Sequence, residues 1–245
     1  YNGYSGRKMY SFKQYLSESK NTHLEHLEDE IINNGYEGGL NAVAFLKSLR
    51  GMLTGSSRRK LNVSVKWDGA PAVFCGINPE NGRFFVGSKS IFNVTPKINY
   101  TQSDISRNHS GGLAAKLNIA LRELPKLGIK GIVQGDLLFT PADIKSVSIR
   151  GEDAIAFTPN TITYAVPENT LLAKRIKRAK LGIIFHTSYT GKKMSNLKAG
   201  FGVNVNRFTK TPSVFFSDAS YKDTSGVATF TSSESDSYDA QLRMA

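Results

Sequence analysis

A β-branched run, Asn62-Val63-Ser64-Val65, meets Lys66, and the pair Asp68-Gly69 follows before a second apolar run, Ala70-Pro71-Ala72-Val73-Phe74. β-branched residues favour extended backbone and Asp-Gly favours a tight turn, so the stretch predicts two strands with Lys66 at the end of the first. After Phe74, Cys75 to Gly82 reads as a hairpin loop and Arg83 to Lys89 as the return strand, which predicts an antiparallel sheet. Lys66 then has two readings. Beside a closed pocket a lysine is partly desolvated and can attack phosphorus; in the open it is a surface residue before a turn.

The 245 residues suffice for one large or two small domains, and 40% hydrophobic with 21% charged residues is a globular composition. No apolar run has the length of a membrane span and no signal peptide opens the chain, which predicts a protein of the cytoplasm without a membrane partner. Cys75 is the only cysteine, which excludes an internal disulfide and a cysteine-based zinc site. A formal net charge of +12 favours a polyanionic partner, nucleic acid before anionic membrane.

Taken in order, Ser11 to Lys20 has a short helical pattern, and Thr22 with Glu25 forms a capping-box signal for a helix carrying Leu24, Leu27, Ile31 and Ile32 inward, ended by Gly38-Gly39. His23 and His26 share a face of it, with metal-ligand spacing but no supporting motif, so a solvated face is expected. Leu40 to Leu53 predicts a further helix, stopped at Gly55-Ser56-Ser57, and Arg58-Arg59-Lys60 is a basic loop before the lysine stretch. Tyr100 to His109 reads as a polar loop, Gly112 to Leu124 as an amphipathic helix, and Gly131 to Thr140 as a buried strand. That strand carries Asp136 amid apolar residues, and an unpaired buried carboxylate is costly, so a cation, a metal-bound nucleotide or an ion pair must face it. Strands follow at Thr161–Val166 and Leu181–Thr187, with a basic helix between them bearing Lys174, Arg175, Lys177, Arg178 and Lys180. That helix is either a solvated face or a nucleic-acid patch. Ser213–Ser217 and Val227–Thr231 read as short strands, and Ser232–Asp239 as a linker.

Lys66-Trp67-Asp68-Gly69 resembles the Lys-x-Asp-Gly signature of the covalent nucleotidyltransferases, the ATP-dependent DNA ligases, RNA ligases and mRNA capping enzymes. Gly87-Ser88-Lys89, Gly135-Asp136 and Gly182 to Thr187 follow in the order of that superfamily's later motifs, so the resemblance covers roughly residues 62 to 187. It implies an α+β fold of the ligase type, mostly antiparallel sheets with outer helices. It casts Lys66 as the nucleophile, Asp68 as the residue that holds the turn, and Gly69, Lys89, Asp136 and Phe185 as the nucleotide pocket, with Phe185 stacked on the purine. Asp136 would also place a divalent ion, Mg2+ or Mn2+. The departures are that Lys89 stands where arginine is usual and that Pro71-Ala72 replace a basic residue. No Glu-Gly strand and no Lys-x-Lys strand follow Lys180; since the sequence stops at Ala245 straight after what reads as a linker, both are expected beyond it.

The activity implied is that of an ATP-dependent polynucleotide ligase. Lys66 takes AMP from ATP, passes it to a 5′-phosphate of RNA or DNA, and a 3′-hydroxyl seals the break. The expected division is a helical element over residues 1–57, the adenylation domain over 58–231, and a linker or the start of a further segment over 232–245. The longer run also resembles an uncharacterised family of large tailed phages, which implies an infected bacterial cell. The competing expectation is a non-catalytic phage structural or nucleic-acid-binding protein that keeps the fold without the chemistry.

Overall fold

The structure is a computed structural model that describes residues 27–54, 64–220 and 230–244. The helix pattern over 11–20, the Thr22–Glu25 capping signal with His23 and His26, the basic run 58–60 and the residues Asn62 and Val63 lie outside the described residues, as does most of the 227–231 run. The chain divides into two units, Tyr1–Asn62 with Asp223–Ala245, and Val63–Lys222.

In the first unit, α1 (Leu27–Leu53) is broken at Gly35, whose φ of 57° and ψ of −130° leave the helical region. The break thus falls three residues before the expected Gly38-Gly39, and α1 ends at Leu53. Ile31 and Ile32, expected to face inward, are 47% and 67% exposed. The segment read as a linker is helical, α5 (Ser232–Met244). It is anchored by the Arg50–Asp239 ion pair, by Tyr238 donating to the Leu46 carbonyl at 3.0 Å, and by the Phe230 N–H donating to the Leu53 carbonyl at 2.8 Å. Its polar composition is that of an exposed helix face as much as of a linker, and only the partner on α1 decides between them.

The second unit is α+β. The hairpin is β1 (Ala72–Ile77) and β2 (Phe84–Gly87), and β3 (Ile132–Phe139) pairs with β1 on its other side. Next come β7 (Leu181–Thr190) and β8 (Lys198–Phe201), giving the order β2-β1-β3-β7-β8, with β9 (Val214–Asp218) parallel to β7 and every other pair antiparallel. A second sheet holds β4 (Lys145–Ile149), β5 (Glu152–Phe157) and β6 (Tyr164–Pro167). The β4–β5 hairpin was not predicted. Its signal is Arg150-Gly151, both at positive φ (52° and 83°), which turns the chain in two residues.

Alternation along the strands sends side chains to two faces of the large sheet. On one face Val73, Cys75, Val86, Val133, Leu137, Ile183 and Phe185 pack on Leu117, Ala120 and Leu124 of α3 (Gly111–Glu123) and its C-terminal turn. On the other, Leu138 and Ile184 meet Ile155 and Phe157 of the small sheet and Ala173 and Ile176 of α4 (Leu171–Arg178). Further along this second face lies an aromatic group containing Phe74, Phe85 and Tyr189. The polar loop expected at 100–109 contains α2 (Gln102–Asn108), begun by a reciprocal capping box in which the Thr101 hydroxyl accepts from the Asp104 N–H and the Asp104 carboxylate accepts from the Thr101 N–H. Thr101-x-x-Asp104 was the signal. Among the described residues no helix is long and apolar enough to cross a membrane.

Candidate functional site

The strand expected to lead into Lys66 is reduced to a single bridge, Ser64 with Ser220, and to the Val65 N–H donating to the Ala219 carbonyl at 2.7 Å. From there residues 65–69 run as a loop held on three sides. Trp67 packs into the apolar layer between the sheets, its ring centroid 5.4 Å from that of Tyr164. The Asp68 N–H donates to the Tyr164 hydroxyl at 2.9 Å, and the Asp68 carboxylate accepts from the Asn160 amide and from the Thr161 and Ile162 N–H groups. Those bonds, the Ile162 N–H foremost, hold the Asp68 carboxyl below the usual aspartate range, with the Lys66 ammonium a lesser contributor.

The third attachment is to β3. The Ala70 N–H donates to the Leu137 carbonyl at 2.9 Å and the Leu137 N–H donates to the Pro71 carbonyl at 3.1 Å. Gly69 lies directly on Asp136: a Cβ at position 69 would sit 2.5 Å from the Asp136 Cβ and 3.0 Å from the Leu137 carbonyl oxygen. Only glycine fits so close an approach. The Asp-Gly pair is therefore not a β-hairpin turn of two free residues; Asp68 clamps the 160–162 loop and Gly69 seats on β3.

Asp136 pairs across the sheet with Ala72 on β1 and Ile184 on β7, so its side chain is on the face of Leu138 and Ile184. The register of β7 slips between the pairs Gln134–Thr187 and Gly135–Phe185, leaving His186 as the extra, bulged residue. Bulges re-aim side chains, and here the His186 Nε2 is turned to within 3.4 Å of the Asp136 Oδ1. The two side chains are 26% and 24% exposed. The approach is an electrostatic contact, not an aligned hydrogen bond, since the buried Nε2 has no hydrogen-bond partner, while the Nδ1 is 2.8 Å from the Thr187 hydroxyl. Gln134 continues the polar strip, its Oε1 accepting from the Tyr189 hydroxyl at 2.8 Å; burial raises the Tyr189 hydroxyl above the usual tyrosine range. Phe92, partly exposed, closes this end, with its ring 5.1 Å from Phe74 and 5.7 Å from Tyr189.

Of the residues read from the sequence, Lys66, Asp68, Gly69 and Asp136 share one neighbourhood. Phe185 does not. It is fully buried on the opposite face, packed edge-to-face on Phe208 with ring centroids 5.3 Å apart. Since adjacent strand residues face opposite sides, the register that sends Asp136 with Ile184 sends Phe185 into the core. Lys89 is exposed at the start of a 3-10 turn, Lys89–Phe92, capped by the Ser88 hydroxyl. β2 ends at Gly87, two residues before Lys89, so the sheet register does not bring Lys89 to Asp136. His186, Gln134 and Phe92 were missed; an i+1 neighbour of an assigned aromatic carries no sequence signal for a bulge.

The basic helix is present as α4, with Ala173, Ile176 and Ala179 inward and Lys174, Arg175, Lys177 and Arg178 exposed. Two of these cations are engaged: Lys177 pairs with Glu168, and Arg175 lies over the Phe215 ring, 5.0 Å from its centroid. Among the described residues no three His, Cys, Asp or Glu side chains converge to hold a metal ion.

Fold and site together define an α+β protein in which a lysine-bearing loop is seated on β3 of the large sheet, at an aspartate that faces a bulged histidine. The chain belongs to the family of unknown function DUF6267, whose model matches residues 21–245. No curated protein and no solved structure matches it.

Proposed function

We propose that the second unit is a ligase-type nucleotidyltransferase domain that binds ATP and forms a covalent lysyl-AMP at Lys66. The observation that carries this reading is the seating of Gly69 on Asp136. It joins two motifs nearly seventy residues apart, Lys-x-Asp-Gly and Gly-Asp, at one point of the sheet. In the reaction the Lys66 amine, deprotonated to solvent, forms an N–P bond at the α-phosphorus as the bond to pyrophosphate breaks. Asp68 keeps the loop in place through residues 160–162. Phe92, not Phe185, is the partly exposed ring at the end of the polar strip that a purine would meet, and exposed Lys89 and Lys66 are the cations for the phosphates.

Asp136 is the residue to hold Mg2+ or Mn2+. A lone, quarter-exposed carboxylate suits an ion that keeps its waters and rides on the nucleotide phosphates, and does not suit an all-protein cage. When bound, the ion neutralises charge on the departing pyrophosphate. RNA or DNA ends are the acceptor in this reading, and the exposed cations of α4, Lys174 and Arg178 first, are candidates to meet them.

The rival reading is a non-catalytic nucleic-acid-binding protein with this fold, favoured by the exposure of Lys66 and the burial of Phe185. Incubation with α-labelled ATP and magnesium separates the two. The nucleotidyltransferase acquires acid-labile label and Lys66→Ala does not; no label on either protein leaves the rival.

A further inference from the structure

A cleft of about 450 Å3 opens where β3 begins and β7 ends, lined by the 128–133 segment, Ser188 and Tyr189, and the 202–208 loop. Its charged lining residues are Lys130 and Arg207, both exposed, and no carboxylate lines it. Neither cation makes an ion pair among the described residues. The nearby acid, Glu123, is buried and already satisfied by Arg122 and Lys126. Gly128, Gly131 and Gly202 form part of the wall and present backbone without side chains, so a ligand's own backbone can come close.

We infer that this cleft binds the phosphodiester backbone of a nucleic-acid strand, with Lys130 and Arg207 on its phosphates. Two unpaired cations without a competing carboxylate attract a polyanion, and the chain's net charge of +12 draws it in the same direction. Ile132 of the cleft wall precedes Asp136 by four residues on β3, about 13 Å at a strand's rise, so the cleft is separate from the lysine loop. The inference names the surface for the polynucleotide partner of the reading above and does not need Lys66 to react.

The test is fluorescence anisotropy of the full chain with a labelled oligothymidylate of about 20 nucleotides, titrated at several salt concentrations. Removing two phosphate contacts in Lys130→Ala/Arg207→Ala lowers the slope of log affinity against log salt by about 1.4, which is about 25-fold weaker binding at 0.1 M salt. Lys66→Ala binds like the unaltered chain, so loss of nucleotidyl transfer and loss of strand binding are read separately. The inference is overturned if the unaltered chain does not bind, if the double variant binds as well as it does, or if Lys174→Ala/Arg178→Ala on α4 accounts for the loss.

Discussion

Gly69→Ala is the sharpest perturbation of the lysine loop. The added methyl carbon would lie 2.5 Å from the Asp136 Cβ and 3.0 and 3.1 Å from the Leu137 carbonyl oxygen and the Asp136 carbonyl carbon. Two of those three neighbours are backbone in the centre of a six-stranded sheet, so the loop must move and β3 will not. Lifting the loop strains the two hydrogen bonds at Leu137, each with a net contribution of roughly 0.5–1.5 kcal/mol. Overpacking in a close-packed site costs about 1–3 kcal/mol on its own. A loss of about 2–4 kcal/mol is expected, and at a urea m-value of roughly 2 kcal/mol/M the midpoint falls by about 1–2 M. The control is Gly112→Ala in the first turn of α3, where nothing lies within 4 Å of the added carbon. In a helix that change is neutral or stabilises by up to about 1 kcal/mol. Urea unfolding followed by intrinsic fluorescence compares the two. Equal midpoints for Gly69→Ala and the unaltered protein would refute the seating of the loop on β3, and with it the observation that carries the proposed function.

Asp68→Ala removes the acceptor of the Thr161 and Ile162 N–H groups, so those two amides should exchange hydrogen faster by NMR while amides of β7 keep their protection; unchanged protection at 161 and 162 would disprove the clamp. Burial opposes ionisation of Glu123, but hydrogen bonds from Lys126, Ser213 and Arg122 outweigh it and hold the carboxyl below its ordinary value of 4.5. A carboxyl whose pKa is lowered by folding adds stability above the unfolded value and loses it as pH falls through the folded one. Unfolding free energy should therefore decline below about pH 4.5, and Glu123→Gln should flatten part of that decline, measured by urea unfolding from pH 3 to 6; a Gln variant with the same slope contradicts the assignment. Phe185→Ala should cost about 3–5 kcal/mol of stability, whereas Phe92→Ala should chiefly weaken ATP binding, about fivefold or more by calorimetry. Weakened ATP binding without loss of stability in Phe185→Ala would reverse those roles.

The local patterns were legible where one residue type decides the backbone. The β1–β2 hairpin, the β3 run, α3 with its stop at Pro125 and Gly128, and the basic α4 all follow from apolar period and from turn or capping residues. Where the structure departs from the sequence expectation, a local signal is still present, as with the Thr101–Asp104 capping box and the Arg150-Gly151 turn. α5 is different in kind: nothing within Ser232–Met244 distinguishes an exposed helix from a linker until Arg50, Leu46 and Leu53 supply partners.

For the site, the amino-acid order alone singled out Lys66, Asp68 and Asp136 as candidates, and required that the last face something polar. Tertiary structure alone decided what that something is. Which residue of β7 stands beside Asp136 depends on strand register, and a single bulged residue exchanges Phe185 for His186 at that place. Register is set by pairing between segments some fifty residues apart, through hydrogen bonds that every residue can make alike, so no local composition encodes it.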